Sequence, residues 1–380
     1  MRRLHAAGLA VVVILLAFSA QAGAAKPKPQ PNKVKQTASG IWTLAMDWPR
    51  VAYASGGRIY VWNVATGVTT VVKGNYSNAA HTVDASEVAI AGTHVAWIKR
   101  QRFGNTEESV KLYSASIAGR AHLRKQGYLF GRDDASSVKG GWIAGVVGSR
   151  TTLAVSTWKS DGTKSSAGRL SRITPTGLPS IVTGPGAIVA ESMNGGHIAV
   201  LRSTAAWPAD EPATPTTQPT VGIYSTGGKL LHRIVLSTAI PPPPPPNPDS
   251  CRCYPSTIFN SAALSGNRLV VLTETAPQNA PRATKIEVFD WTTGALLRTW
   301  PLALNVWATN VAPPLAAYGR FAAVEGRRLQ VLDLTTGKVV LSAQASGNGS
   351  PAAMGPHGLV YAAPGKLVFV PLSKLLSLAG

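Results

Sequence analysis

The chain has 380 residues, of which 45% are apolar and 14% charged, and its formal net charge is +20. This apolar content excludes an intrinsically disordered chain, and two cysteines exclude a disulfide-rich scaffold. The positive charge favours polyanionic partners such as cell-wall polymers, nucleic acid or acidic lipid surfaces. The basic residues are spread over the whole sequence, however, so the charge alone fits a solvated surface equally well.

The N-terminus has the pattern of a bacterial-type secretory signal peptide over residues 1–22. Arg2 and Arg3 precede an apolar stretch from Ala6 to Ala20, and Ala20-Gln21-Ala22 supplies a small-residue cleavage site. The apolar stretch is too short to span a bilayer. We therefore expect a secreted, extracytoplasmic protein without a transmembrane segment, in which residues 23–32 form a flexible basic tail rich in Pro and Lys.

A short phrase then recurs along the chain. It reads VWNVATG at 61–67, VFDWTTG at 288–294 and VLDLTTG at 331–337, and a second apolar run follows each copy. The last two copies lie 43 residues apart, from Asp290 to Asp333. A period in the forties built from strands predicts a β-propeller.

Seven units can be read between residues 33 and 371, each with a tight turn before an apolar second strand. The seventh unit ends near Pro371 and leaves little room for a fourth strand. We therefore predict that the segment from Lys33 to Ala38 supplies that outer strand and closes the ring. The prediction is an all-β chain with a single propeller of seven four-stranded blades, followed by a C-terminal tail at 372–380.

The segment from Ile286 to Trp300 resembles a repeat of the quinoprotein-like, WD-repeat-like and TolB-like secreted propellers of bacteria. The resemblance covers blades one, five and six well and the other blades loosely. It implies the fold and no particular activity. Because no residue set matches a quinone site or its calcium, we predict no cofactor, and calcium is the ion left open.

Within each blade the strands are named A to D from the axis outward. The A–B and C–D turns should lie on one face, and the B–C and D–A loops on the other. The long segments are predicted to be B–C or D–A loops of blades two to five, and long loops on a rigid scaffold commonly carry function. The predicted loops are 99–108, 158–168, 203–219 and 275–283 (B–C), and 73–86 and 237–257 (D–A). Their candidate binding residues are Arg100, Arg102, Trp158, Trp207, Asp210 and Glu211.

Some features of these loops each allow two interpretations. The proline run 241–246 is either a stiff spacer or a ligand for a proline-binding partner. Trp207 is either a binding anchor or folds back onto the scaffold. Cys251 and Cys253 are candidates for a strained disulfide that staples the loop, whereas a metal site would need further ligands.

Acidic residues near the starts of the inner strands give a weaker, alternative site in the central tunnel. Its candidates are His81, Asp84, Asp133, Asp134 and Glu191. Asp133-Asp134 also fits a turn pair, and Glu191 also fits a structural, hydrogen-bonded role. No nucleophile elbow, HExxH motif, calcium loop or phosphate-binding loop is present.

These observations favour a monomeric secreted binding module that recognises a protein or an anionic cell-envelope polymer, and they do not favour nucleic acid. The alternative is a propeller hydrolase or lyase that uses the tunnel residues. A third interpretation, attachment to an anionic surface by charge alone, predicts a steep dependence on salt.

Overall fold

A computed structural model describes residues 31–37, 40–72, 85–103, 107–130, 139–161, 165–203, 220–236, 256–276, 283–302, 315–326, 328–344 and 351–380. These residues form 28 β-strands and one short α-helix. No helix among them is long and apolar enough to cross a membrane.

The strands follow one another as seven four-stranded antiparallel units arranged about a central axis. Blade one has β2 (Ile41–Asp47), β3 (Arg50–Ser55), β4 (Arg58–Asn63) and β5 (Thr69–Val71). Blade two has β6 (Ala85–Ala91), β7 (His94–Phe103), β8 (Glu107–Ser116) and β9 (His122–Phe130). Blade three has β10 (Lys139–Ser149), β11 (Thr152–Asp161), β12 (Ser165–Arg172) and β13 (Ser180–Gly184). Blade four has β14 (Ala187–Asn194), β15 (His197–Ser203), β16 (Thr220–Ser225) and β17 (Leu230–Val235).

Blade five has β18 (Ser256–Ser265), β19 (Arg268–Ala276), β20 (Ala283–Asp290) and β21 (Ala295–Leu302). Blade six has β22 (Leu315–Tyr318), β23 (Phe321–Glu325), β24 (Arg328–Asp333) and β25 (Val339–Gln344). Blade seven has β26 (Ala352–Gly355), β27 (Gly358–Ala363) and β28 (Lys366–Pro371), with β1 (Lys33–Gln36) as its fourth strand. The predicted all-β, seven-bladed propeller is confirmed.

The outer strand of blade seven comes from the start of the described chain. β1 pairs antiparallel with β28, from Lys33 opposite Phe369 to Gln36 opposite Lys366. The Lys33 ammonium also donates a hydrogen bond of 2.9 Å to the carbonyl oxygen of Val64 in blade one. The paired residues fall within the predicted segment 33–38, although residue 38 lies outside the described residues.

Apolar side chains between neighbouring blades form the core. Successive residues of a strand point to opposite faces, so each blade contributes alternate residues to the contacts on its two sides. In blade two, Val95 and Trp97 pack towards blade one, whereas Ala96 and Ile98 pack towards blade three. Full burial of one large apolar side chain contributes about 1.5–3 kcal/mol to stability, and these layers repeat around the ring.

The recurring phrase forms the turn between the two outer strands of its blade, as its composition predicts. The side-chain Oδ1 of Asp333 accepts a hydrogen bond of 2.9 Å from the Thr335 backbone N–H, and the Gly337 N–H bonds to the Asp333 carbonyl at 2.8 Å. Gly337 has a φ of +73°, which glycine adopts without steric cost. Asn63 and Asp290 accept equivalent bonds in the turns of blades one and five.

Blades two and three are joined into one eight-stranded sheet. The outer strand β9 of blade two pairs with the inner strand β10 of blade three, at Leu129–Gly140 and Phe130–Lys139. A side chain at Gly127 would place its Cβ only 2.4 Å from the Gly141 carbonyl oxygen, so this crossing requires glycine there.

Two of the predicted B–C loops are wrong in extent. In place of a loop over 99–108, β7 continues to Phe103 and β8 begins at Glu107. Likewise β11 continues to Asp161 and β12 begins at Ser165, within the predicted loop 158–168. Both hairpins extend beyond the apolar core, so their outer halves lack the apolar alternation that marks a strand in a sequence. The residues after 371 form helix α1 (Leu372–Leu378), whose Leu375 is buried.

Candidate functional site

The inner strands of blades one to five carry β-bulges facing the tunnel. The pairing between the first two strands shifts register at Ile41/Thr43, Ala85/Glu87, Ile143/Val146, Ala190/Ser192 and Phe259/Ser261. A bulge leaves an extra residue unpaired and re-aims side chains, and bulges are frequent beside active sites. The extra residues include Trp42, which is 52% exposed although it lies on an inner strand, and Glu191.

Polar side chains near these bulges link neighbouring blades through hydrogen bonds. Thr43 accepts a hydrogen bond of 3.2 Å from the Val88 N–H, and Ser156 accepts one of 2.9 Å from the Ala190 N–H. Ser192 accepts another of 3.0 Å from the Leu264 N–H. These contacts are structural, because each satisfies a backbone donor of the neighbouring blade.

Glu87 makes the same kind of contact and adds an ion pair. Its Oε2 accepts a hydrogen bond of 3.1 Å from the Val146 N–H, and its Oε1 lies 3.3 Å from Nη2 of Arg100. The Arg100 guanidinium lies over the Trp142 ring, 4.4 Å from its centroid, in cation–π geometry. The sequence points to Arg100 and to an acid at Glu87 but not to their contact with Trp142, since that contact depends on packing between blades two and three.

Glu191 lies on the inner strand of blade four and contacts blade five. Its Oε2 accepts a hydrogen bond of 3.4 Å from the Ala262 N–H of blade five. Burial raises the pKa of Glu191 to about 8, against the lowering effect of the Ala262 bond, and the negative charge of Glu87 raises it further. Part of the residue remains accessible to solvent, yet surrounding protein keeps the carboxyl largely protonated at neutral pH.

A second polar region lies outside the tunnel, between blades two and three. Lys125 of β9 pairs with Leu112, which packs into the core between these blades. Arg169 of β12 pairs with Thr157, and alternation along β11 places Lys159 on the same face, towards blade two. Partial burial lowers the pKa of Lys125, and the charges of Arg169 and then Lys159 lower it further. We call these three residues the basic groove.

The remaining predicted site residues divide into two groups. Arg102 and Trp158 lie in strands β7 and β11, and so does Arg100, rather than in loops. Trp158 is buried in β11, with its ring 6.5 Å from that of Trp142, so its predicted loop position is wrong, and its role in binding stays a prediction. The other candidates lie outside the described residues: His81, Asp84, Asp133, Asp134, Trp207, Asp210, Glu211, Cys251 and Cys253.

No group of three or more His, Cys, Asp or Glu side chains that could hold a metal ion occurs among the residues that the structure describes. The tunnel carboxyl groups whose surroundings the structure describes are those of Glu87 and Glu191. Glu87 had a weak signal in the sequence, an acid directly before the apolar run of an inner strand.

Comparison with known proteins adds similarity of fold. No protein-family model matches the chain, and no curated protein matches its sequence. Solved structures that resemble it are WD-repeat-type β-propellers. The Cps50 (Swd1) propeller domain of Myceliophteria thermophila is 11% identical, with 90% of this chain and 100% of that one covered and a TM-score of 0.47. The Dos1 propeller is 10% identical, with coverages of 91% and 95% and a TM-score of 0.46. Saccharomyces cerevisiae Sqt1 is 9% identical, with coverages of 90% and 98% and a TM-score of 0.45.

Proposed function

We propose that this chain is a secreted binding module of the bacterial type, which takes a protein or a cell-envelope polymer on one face of its propeller. We call the face with the B–C and D–A connections the upper face and the opposite one the lower face. The proposal assigns binding to the upper face of blades two to five, in a monomer exported by its N-terminal signal. It needs no cofactor, and calcium is the ion to test.

The length of the connections between strands carries this proposal. On the lower face the longest connection is 173–179, and every A–B turn has two residues. On the upper face the connections include 72–84, 204–219, 236–255 and 303–314. The entropic cost of closing a loop grows only slowly with its length, so a rigid scaffold tolerates long connections. Because binding residues commonly lie on such loops, their concentration on one face favours recognition there. Propellers commonly serve as scaffolds for such contacts.

Shortening connections on each face tests the proposal. One variant replaces 204–219 and 237–255 by short Gly-Ser turns, and a matched control shortens 173–179 on the lower face. We expect the first to lose co-sedimentation with an isolated cell-envelope fraction while the control retains it. Circular dichroism and thermal melting verify that both propellers still fold. Equal co-sedimentation by the two variants would contradict an upper-face site.

The protonated Glu191 favours a second candidate, a hydrolase or lyase with its site in the tunnel near Glu191, Asp84, Asp133 and Asp134. A carboxyl that keeps its proton at neutral pH is a group that general acid catalysis uses. Glu191→Gln keeps the shape and removes the acid. Turnover of envelope polysaccharide that the wild type shows and this variant lacks would support an enzyme, whereas equal rates would rule out Glu191 as its acid.

A further inference from the structure

We propose that the basic groove between blades two and three binds a flexible polyol-phosphate polymer, one whose phosphodiester charges recur along a chain without bases. The inference deepens the proposed binding function and depends on it for its setting outside the cell. It names a site on the side of the ring and a chemical class of partner, and it uses side chains that have no part in the tunnel.

Three cations from three strands converge in the groove. Lys125 comes from the outer strand of blade two, and Lys159 and Arg169 come from blade three; all three are exposed at the surface. Partial burial lowers the pKa of Lys125 most, and the nearby charges of Arg169 and Lys159 add to this lowering. Like charges held this close cost folding free energy, and a bound anion would relieve that cost.

The repulsion between Lys125 and Arg169 is not cancelled by ion pairs with described side chains. The ion pairs that the structure describes at Glu87, Glu287 and Asp333 lie elsewhere. Lys125 and Arg169 take part in none of them. The adjacent Arg124 donates hydrogen bonds within the fold, to the Ser114 hydroxyl at 2.6 Å and to the Pro175 carbonyl at 2.8 Å.

The same blade holds a second pair of like charges on its other face. Lys99 and Lys111 lie directly opposite each other on β7 and β8. Partial burial lowers the pKa of Lys99, and the charge of Lys111 lowers it further. Like charges directly opposite each other on a sheet are destabilising.

The types of side chain select the partner. The ammonium groups act as point charges on anionic oxygens, and the guanidinium of Arg169 has the fork that binds phosphate oxygens in pairs. Proteins that bind single-stranded nucleic acid add aromatic side chains on which bases stack. The aromatic residue nearest along the groove strands, Trp158, is buried beneath the surface. Charge without an exposed ring among the side chains that the structure describes in the groove favours a phosphate polymer that lacks bases.

The test uses the mature chain and poly(glycerol phosphate) as the probe, with binding measured by calorimetry at 50 and 200 mM salt. Two phosphate contacts, from Lys125 and Arg169, predict an affinity roughly 7-fold weaker at the higher salt, because the logarithm of the affinity falls by about 0.7 per contact for each tenfold rise in salt. The variant Lys125→Gln/Arg169→Gln should bind at least tenfold more weakly at 50 mM salt, and its affinity should fall by less than roughly threefold between the two salts.

A matched control removes the same charge from the lower face, at the exposed Lys229 and Lys338 of the C–D turns. Lys229→Gln/Lys338→Gln should bind as the wild type does. Equal losses of affinity in both double variants would show that binding depends on net charge alone and would contradict the groove as the binding site. Tighter binding of single-stranded DNA than of poly(glycerol phosphate) would overturn the partner class.

The two proposals can fail separately. In one outcome, the variant with shortened upper-face connections keeps polymer binding and loses envelope capture. That result supports the groove as the polymer site and the upper face as the site of envelope capture. Lost polymer binding in Lys125→Gln/Arg169→Gln with intact envelope capture supports the groove and contradicts a role for the polymer in capture. Thermal melting controls for folding, since removing mutually repelling charges should not lower the melting temperature.

Discussion

Replacing Glu191 by Gln tests the electrostatics of the tunnel directly. The folded-state pKa of about 8 lies above the ordinary value of 4.5. Between these values the folded chain binds a proton that the unfolded chain has lost, so the wild type loses stability as the pH rises through this range. The full slope is about 1.4 kcal/mol per pH unit, which gives a limit of about 3 kcal/mol between pH 5 and pH 7.

Residual contact between Glu191 and water screens this effect, so we expect about half of the limit, or about 1.5 kcal/mol. The glutamine side chain of the variant does not titrate, and other titrating groups act equally on both proteins and cancel in the comparison. Urea unfolding at pH 5, 6, 7 and 8 should therefore show the variant gaining on the wild type with each step, up to about pH 8. A stability difference that stays constant over this range would refute the protonated state of Glu191.

Two further pairs of variants test the turns of the recurring phrase. Gly337→Ala and Gly67→Ala both force alanine to positive φ, but only at Gly337 would the new Cβ approach another group, 2.4 Å from Cε3 of Trp300. Thermal melting should show a loss of about 1 kcal/mol for Gly67→Ala and about 2–4 kcal/mol for Gly337→Ala, and equal losses would contradict the contact. Burial pushes the pKa of Asp333 upward, but bonds from Arg320 and the turn outweigh it and lower the pKa overall. Asp333→Asn should cost about 3 kcal/mol in urea unfolding at pH 7, a loss that shrinks as acid protonates the wild-type carboxyl, whereas the exposed Asp290→Asn should change little.

Local chemistry explains why the repeating part of this fold can be predicted from sequence. An Asn or Asp followed by Thr-Gly closes a turn with its own side chain and a glycine at positive φ, as at Asp333 and Gly337. These bonds join residues within five positions of each other. The number of blades and the strand register follow once the turns are placed.

The candidate sites could not be predicted in the same way, because they depend on contacts between blades. Glu87 lies 13 residues from Arg100, and the Ala262 N–H that bonds Glu191 lies 71 residues away along the chain. Lys125 meets Arg169 only because β9 crosses onto blade three at Gly127 and Gly141. Polar residues in the long hairpins also interrupt the apolar alternation beyond the core, and the sequence therefore predicts a loop at Trp158.

The hydrogen bond that Glu191 accepts differs from those that hydroxyl groups accept between neighbouring blades. Thr43, Ser156 and Ser192 accept the equivalent backbone hydrogen bonds at 2.9–3.2 Å through hydroxyl groups. Glu191 makes its bond at 3.4 Å, which is longer and weaker, and its buried carboxyl adds a free-energy cost whenever it ionises. A serine would therefore fasten the strands better and avoid that cost. What the carboxyl supplies instead is a proton held in the tunnel at neutral pH, a property that a structural contact does not require.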